Sequence, residues 1–400
     1  MVITGLGAIT ALGEGTERLW EAVLAGRSEI NSAGVIHDFS PGKYVTQQKA
    51  LKVMARDIQL AVAGAHLAME DSKIKSVSFD RGRFGVIVGS GVLNHELDEL
   101  ASSVQNSLDE SGKLDLAKFG DKGLSSLFPL WLLKYLPNMS ACHISILFNL
   151  QGMNNTITTG ASAGLQAVGE ACRIIERGNA DLMLAGGAES KVNPVGISQY
   201  QALGALSHSD AESFRPFDAH AKGFVVGEGA GFLLLEELEH AKKRSANIYA
   251  EVAGFGSASS SGRKIAMETA LKEAGLEPSQ VHYLQATGLG LKDEDRCEAQ
   301  AISEVFNGTG KNLFVSASKP ITGFTGFSAG SIDLIVSTLA LGHQIIPPVA
   351  NFSNSERDWP FQIVQGKALK KKITVAMTNA FGFGGQAVSI ITKIYPGKTL

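Results

Sequence analysis

Cysteine is scarce: Cys142, Cys172 and Cys297 are the only three in 400 residues, and none stands in a CxxC pair. That spacing excludes a disulfide framework and a cysteine-built zinc site, so no metal and no cofactor is expected, and a reducing cytoplasm fits best. An excess of either charge is also missing. Thirty-six Lys and Arg face 39 Asp and Glu, net −3, which gives no electrostatic reason to expect nucleic acid or an anionic membrane as partner. Long apolar runs are absent too. The longest, Gly326 to Leu341, is broken by Asp333, and Met1-Val2-Ile3-Thr4-Gly5-Leu6-Gly7 has no basic lead; neither a membrane span nor a signal peptide is expected.

What is present is apolar substance. A hydrophobic share of 44% against 19% charged residues over this length implies buried cores in two domains or two fused halves. Apolar runs and 3.6-residue periodicity alternate along the chain. Strand Val2–Ala8, helices 16–25 and 56–71 and strand Gly85–Ser90 open the first series. Residues 91–151 break the period with charged helical pieces and the bulky run Leu127–Leu136, a cap or interface insertion. Strands near 155–158, 181–187 and 231–236 follow. A second series starts near Tyr249, so the halves are expected at 1–245 and 246–400. Helices Gly164–Glu176 and Gly326–Leu341 occupy equivalent places, the second too apolar all round for a surface. They should lie side by side between two sheets.

The organising stretch is Thr158-Thr159-Gly160-Ala161-Ser162-Ala163-Gly164, where a short strand turns into a small-residue helix. Such turns raise a nucleophile beside the N–H groups and positive potential of a helix N-terminus. The raised residue here is Ala161, whose methyl group has no nucleophilic chemistry.

These words, with Leu136-Pro137-Asn138-Met139, Arg215-Pro216-Phe217-Asp218, Ser318-Lys319 with Thr322-Gly323, and Asn379 to Gly385, resemble the β-ketoacyl-acyl carrier protein synthases of the thiolase superfamily over nearly the whole chain. The resemblance implies a thiolase fold, α/β, with duplicated βαβαβαββ halves in a five-layer α-β-α-β-α arrangement, usually dimeric through the first half. It also implies a cysteine and two histidines, which bind and decarboxylate a malonyl thioester after acyl transfer to the thiolate. Those positions fall on Ala161, Thr287 and Phe324. The hydroxyls usual after the first histidine are Leu289 and Leu291, and the long loop usual after Gly256 is reduced to Ser257–Gly262. Retained family positions are Lys319, Glu298, Asp295 and Phe383, the last a gate; a buried Lys319–Glu298 ion pair is the expected structural reason for keeping that pair.

Other groups offer little. Ser162 would rise only if the turn slipped by one residue, and it has no base in the neighbouring motifs. Cys142 and His143 read as packing groups in a buried strand, His220 as a solvated turn residue, and His343 as a cation at a helix C-terminus. The resemblance then points to a noncatalytic chain length factor: a subunit without condensing activity of its own, paired as a heterodimer with an active ketosynthase, meeting acyl carrier protein through the complex, in an aromatic-polyketide or polyene-type pathway. Phe128, Trp131, Leu132, Leu133 and Tyr135 are its candidate tunnel walls, with ordinary core packing as the other reading. A weakly active or decarboxylating ketosynthase-fold enzyme and a stand-alone acyl-binding scaffold remain as alternatives.

Overall fold

The computed structural model describes residues 1–28, 30, 32–76, 78–92, 95–207, 211–260 and 262–396. The first half contributes strands Val2–Thr10 (β1), Phe84–Gly89 (β2), Asn154–Ile157 (β3), Leu182–Ser190 (β4) and Glu228–Glu236 (β5). Its helices are Arg56–Asp71 (α1), Met139–Phe148 (α2) and Ala163–Glu176 (α3). The second half contributes Ala250–Ala258 (β6), Tyr283–Gln285 (β7), Phe314–Ser316 (β8), Val375–Phe381 (β9) and Ala387–Lys393 (β10). Helices Arg263–Ala274 (α4), Lys292–Val305 (α5) and Ala329–His343 (α6) accompany them. Helix Thr16–Ala25 forms as the spacing of Leu19, Ala22 and Val23 predicts.

The strand order repeats. It runs β3-β2-β4-β5-β1 in the first half and β8-β7-β9-β10-β6 in the second. In both, the outer pairings are parallel and the inner ones antiparallel. Two separate sheets are expected, but β1 also pairs with β6 at Val2–Glu251 and Ile3–Ala250, joining the halves into one 12-stranded ladder. Helix α1 covers the outer face of the first half, α4 that of the second, and α3 and α6 touch each other and strands of both halves. The result is the five-layer thiolase-type α/β arrangement.

The inner layer is thin because its contacts are made by small residues. A Cβ on Gly164 of α3 would stand 2.5 Å from the Phe327 carbonyl oxygen, and one on Gly330 of α6 would stand 2.8 Å from the Leu165 Cβ. These are corresponding positions in the two helices, so each glycine lets the other helix approach. Every residue of α6 from Ala329 to Gly342 is buried, as a helix with apolar residues on every side requires.

One expectation needs correction. Cys142 and His143 lie in helix α2, whose buried residues Ser140, Ala141, His143 and Ile144 mark a helical face; a ten-residue apolar run does not distinguish a buried strand from a buried helix by periodicity alone. The bulky run near 127–136 yields only the short helix Trp131–Lys134. Among the described residues no helix is long and apolar enough to cross a membrane.

Candidate functional site

The central turn begins as β3 ends. Thr159 precedes a single 3-10 turn, Gly160–Ser162, which passes directly into α3. Gly160 has φ +64°, with open space where a Cβ would stand, so glycine is kept there for its backbone conformation. Ser162 is fully buried and its hydroxyl donates to the Thr159 carbonyl at 2.8 Å. It is a helix-start residue and is not raised as a nucleophile. Ala161 packs on an apolar cluster that includes Phe224, Leu289 and Phe324.

Phe324 is almost fully buried, 4.5 Å from Phe224 between ring centroids, with Tyr200 at 5.7 Å and Phe383 at 6.0 Å. An aromatic wall therefore stands where the resemblance puts an imidazole. Phe383 remains 41% exposed at the tip of the glycine turn, the one open face of the wall. Thr287 carries the third position. Its hydroxyl oxygen accepts the Phe381 N–H at 3.1 Å, tying this loop to the end of β9.

The retained residues hold this frame. Glu298 accepts the N–H groups of Thr287 at 2.8 Å and Gly288 at 3.0 Å, and Asp295 accepts those of Leu289 and Phe217, both at 2.8 Å. Burial, with Glu298 close by, pushes the Asp295 carboxyl up to about 7, and burial raises Glu298 as well, against the pull of these N–H donors. The expected Lys319–Glu298 pair is not made. Lys319 pairs with Asp333 of α6, and Asp333 also accepts from Ser318 Oγ at 2.5 Å and Gln285 Nε2 at 3.0 Å. Glu298 is already occupied by backbone donors, and the one acid inside the apolar helix supplies the counter-charge.

Glu189, at the end of β4, is the feature that sequence reasoning missed. Its Oε2 accepts the Phe327 N–H at 2.9 Å, and its Oε1 accepts the Tyr200 hydroxyl at 3.0 Å with Lys191 Nζ 3.8 Å away. The carboxylate thus caps the turn Gly326–Ser328 that opens α6. Among the described residues no carboxylate caps the corresponding N–H of Ala161. An acid closing a strand of buried apolar residues was the signal available in the sequence.

Other groups stay apart from the site. Tyr135 is buried beneath α1 with its hydroxyl on Glu99 at 2.8 Å, and Trp131 packs beside it against His95. Phe128, Leu132 and Leu133 are exposed. These five belong to the first half's outer layer rather than to the Ala161 cluster. His220 is exposed beside Asp218. His343 stacks on Trp20 at 5.2 Å, and burial lowers its pKa, so the ring is not the helix-end cation expected. Strand β6 leads almost directly into α4, confirming a short connection, in which Ser261 lies outside the described residues.

The β-ketoacyl synthase N-terminal domain matches residues 32–241 and the C-terminal domain residues 244–353. A 3-oxoacyl-[acyl-carrier-protein] synthase 2 of Vibrio cholerae is 35% identical, covering 98% of both chains. One from Staphylococcus aureus is 32% identical over 98% of this chain and 100% of its own. A crystal structure of a β-ketoacyl synthase from Burkholderia phymatum superposes with TM-score 0.86 at 28% identity, covering 98% of this chain and 99% of the other. A structure described as the ishigamide ketosynthase/chain length factor gives 0.85 at 28%, covering 98% of each. Full-length relatives named as synthases overturn the reading of a noncatalytic chain length factor. An alanine at position 161 does not by itself make a subunit that only shapes a partner's tunnel. By these matches, which span both halves, the chain belongs to the β-ketoacyl synthase family.

Proposed function

We propose that the chain is an enzyme of carrier-bound acyl thioesters whose site decarboxylates a malonyl thioester without forming an acyl-enzyme. The observation that carries this reading is the uncapped N–H at Ala161 beside its twin, Phe327, whose N–H already holds a carboxylate. A thioester oxygen at Ala161 would take the place that Glu189 takes at Phe327. As the C–C bond to the carboxylate breaks, carbon dioxide leaves and the electron pair moves onto the thioester, where the α3 N-terminus stabilises the developing oxyanion. The walls made by Phe224, Phe324 and Phe383 exclude water and favour a carboxylate turning into neutral carbon dioxide. Once carbon dioxide has left, a proton from solvent at the exposed Phe383 edge is taken up by the carbanion, giving an acetyl thioester. Without a thiolate at Ala161 the two-step condensation has no covalent intermediate, so Ala161→Cys alone restores little, because such groups act as a unit.

Acyl carrier protein is the carrier named by the relatives, and the proposed partner. The proposal includes pairing with a second ketosynthase-fold chain through the first half. Among the described residues the outer edge of β3 is unpaired, and Leu130, Leu132, Ile146 and Met153 are exposed in the segment leading to it. The halves 1–245 and 246–400 are proposed as its two domains, the first carrying the 91–151 insertion.

The experiment is to incubate the purified chain with malonyl-carrier protein and follow carrier-bound species by mass spectrometry. Conversion to acetyl-carrier protein above the uncatalysed rate is expected, with little 3-oxoacyl product. A malonyl load that decays no faster than without protein would refute the reading.

A further inference from the structure

We propose that Tyr200 is a positioning residue for the Ala161 site, its hydroxyl latching the aromatic wall there to the carboxylate that caps the other turn. The inference rests on the reading of the Ala161 turn as the place where a thioester is held. Tyr200 lies in the helix Pro194–Ala202 that follows β4, and it is buried. Its ring meets Phe224 at 5.2 Å and 83° and Phe324 at 5.7 Å and 73°, edge to face in both cases. These rings belong to the cluster on which Ala161 packs.

The backbone under both rings is already fixed. The Phe324 N–H donates to the Val225 carbonyl at 2.8 Å and its carbonyl accepts the Gly227 N–H at 2.9 Å. The Phe224 N–H donates to the Ala205 carbonyl at 3.0 Å and its carbonyl accepts the Ser207 N–H at 2.9 Å. What is left to set is the side chains, and among the buried rings of this cluster only Tyr200 has a polar group by which it is anchored. The hydroxyl donates to Glu189 Oε1 at 3.0 Å, and Glu189 is itself buried and held on Oε2 by the Phe327 N–H at 2.9 Å. A bond to an ionised acceptor is stronger than one between neutral groups. Burial, with Glu189 beside it, pushes the phenol well above its ordinary pKa, so it stays a donor. Phenylalanine at this position would fill the same space and keep both ring contacts, but it would leave Glu189 Oε1 with only Lys191 Nζ at 3.8 Å. One carboxylate thus closes the second turn and, through Tyr200, sets the wall over the first.

The test is Tyr200→Phe in the whole chain, made first beside Ala161→Cys, whose thiol reports how often the wall opens. Its alkylation by iodoacetamide under native conditions, read by peptide mass spectrometry, should run at least fivefold faster with Tyr200→Phe, the effect of one hydrogen bond. Cys172, buried in α3, reacts only when the fold opens. The introduced thiol should outrun it at least tenfold with and without Tyr200→Phe. A thiol rate untouched by Tyr200→Phe, or one no faster than Cys172, overturns the proposal. In the malonyl-carrier assay Tyr200→Phe should lower kcat about fivefold at unchanged KM, since the wall surrounds the reacting carboxylate and the α3 N-terminus still holds the thioester. An unchanged kcat in an active protein also overturns the proposal. A wild-type chain that does not decarboxylate refutes the reaction, and the thiol rates then decide the latch alone. If Ala161→Cys does not fold, hydrogen exchange at the Ala161 N–H replaces the thiol, at least fivefold faster in Tyr200→Phe as expected or, against the proposal, unchanged.

Discussion

The two turns that open α3 and α6 share a backbone and differ in what meets it. Thr159 and Thr325 have φ −94° and −95°, Gly160 and Gly326 have φ +64° and +50°, and Ser162 and Ser328 each donate a hydroxyl three residues back at 2.8 and 2.9 Å. In the second turn the raised residue is Phe327, its N–H capped by Glu189 and its ring so close to Gly91 that a Cβ there would stand 2.1 Å from it. In the first it is Ala161, which no carboxylate caps among the described residues and which packs on the cluster of Phe224 and Phe324. One copy of the turn is closed by the protein itself, so it serves structure. The other has no such carboxylate among the described residues, so the proposed chemistry is placed there.

The largest effect should come from making α6 resemble α3 at the corresponding core position. Asp333 stands where α3 has Ala167, and Asp333→Ala would strand the buried Lys319 ammonium. A loss of about 3–5 kcal/mol is expected in urea denaturation. A loss below about 1 kcal/mol would mean that the buried pair does not hold α6.

Removing the cap from the closed turn comes next. Glu189→Ala should cost about 1–3 kcal/mol, because the Phe327 N–H and the Tyr200 hydroxyl both lose their acceptor in a buried place. Gly160→Ala, in open space but at positive φ, should cost only about 1–2 kcal/mol. Gly326→Ala should cost more than Gly160→Ala, since a Cβ there meets the Glu189 carboxylate at 2.0 Å. Equal melting temperatures for the two glycine variants would deny the difference between the turns.

A slope with pH is expected in both halves. Each half buries an acid near its turn, Asp57 on the Ser190 N–H and Asp295 on the Phe217 and Leu289 N–H groups. Burial lifts both carboxyls from 3.8 to about 7. The folded state therefore binds these protons more tightly than the unfolded state. Their stabilising contribution is complete below pH 3.8 and is lost as pH rises through 7. Asp295→Asn should flatten that part of the profile, measured as urea midpoint against pH. A profile as steep as wild type would remove Asp295 from it.

The duplication was legible because two periods, alternation in strands and 3.6 in helices, recur in the same order in both halves. The aromatic cluster at Phe324 was not legible, because Phe224, Tyr200 and Phe383 come to it from distant segments. The partner of Lys319 was not, because Glu298 and Asp333 are both acids within reach of that segment in sequence terms and only packing shows which one the backbone has already used. Helix α2 was misread because its apolar run satisfies either period. An acid at the end of an apolar strand marked Glu189 in the sequence, but the N–H it caps lies 138 residues away, so its role was not legible.

The most direct measurement is malonyl-carrier decarboxylation by wild type and by Ala161→Asp, which supplies the first turn with the kind of carboxylate that the second turn has in Glu189. The rate should fall at least tenfold, while the melting temperature holds or rises as the helix gains a cap. An unchanged rate in a folded variant would mean that the open N-terminus of α3 is not where the thioester is held.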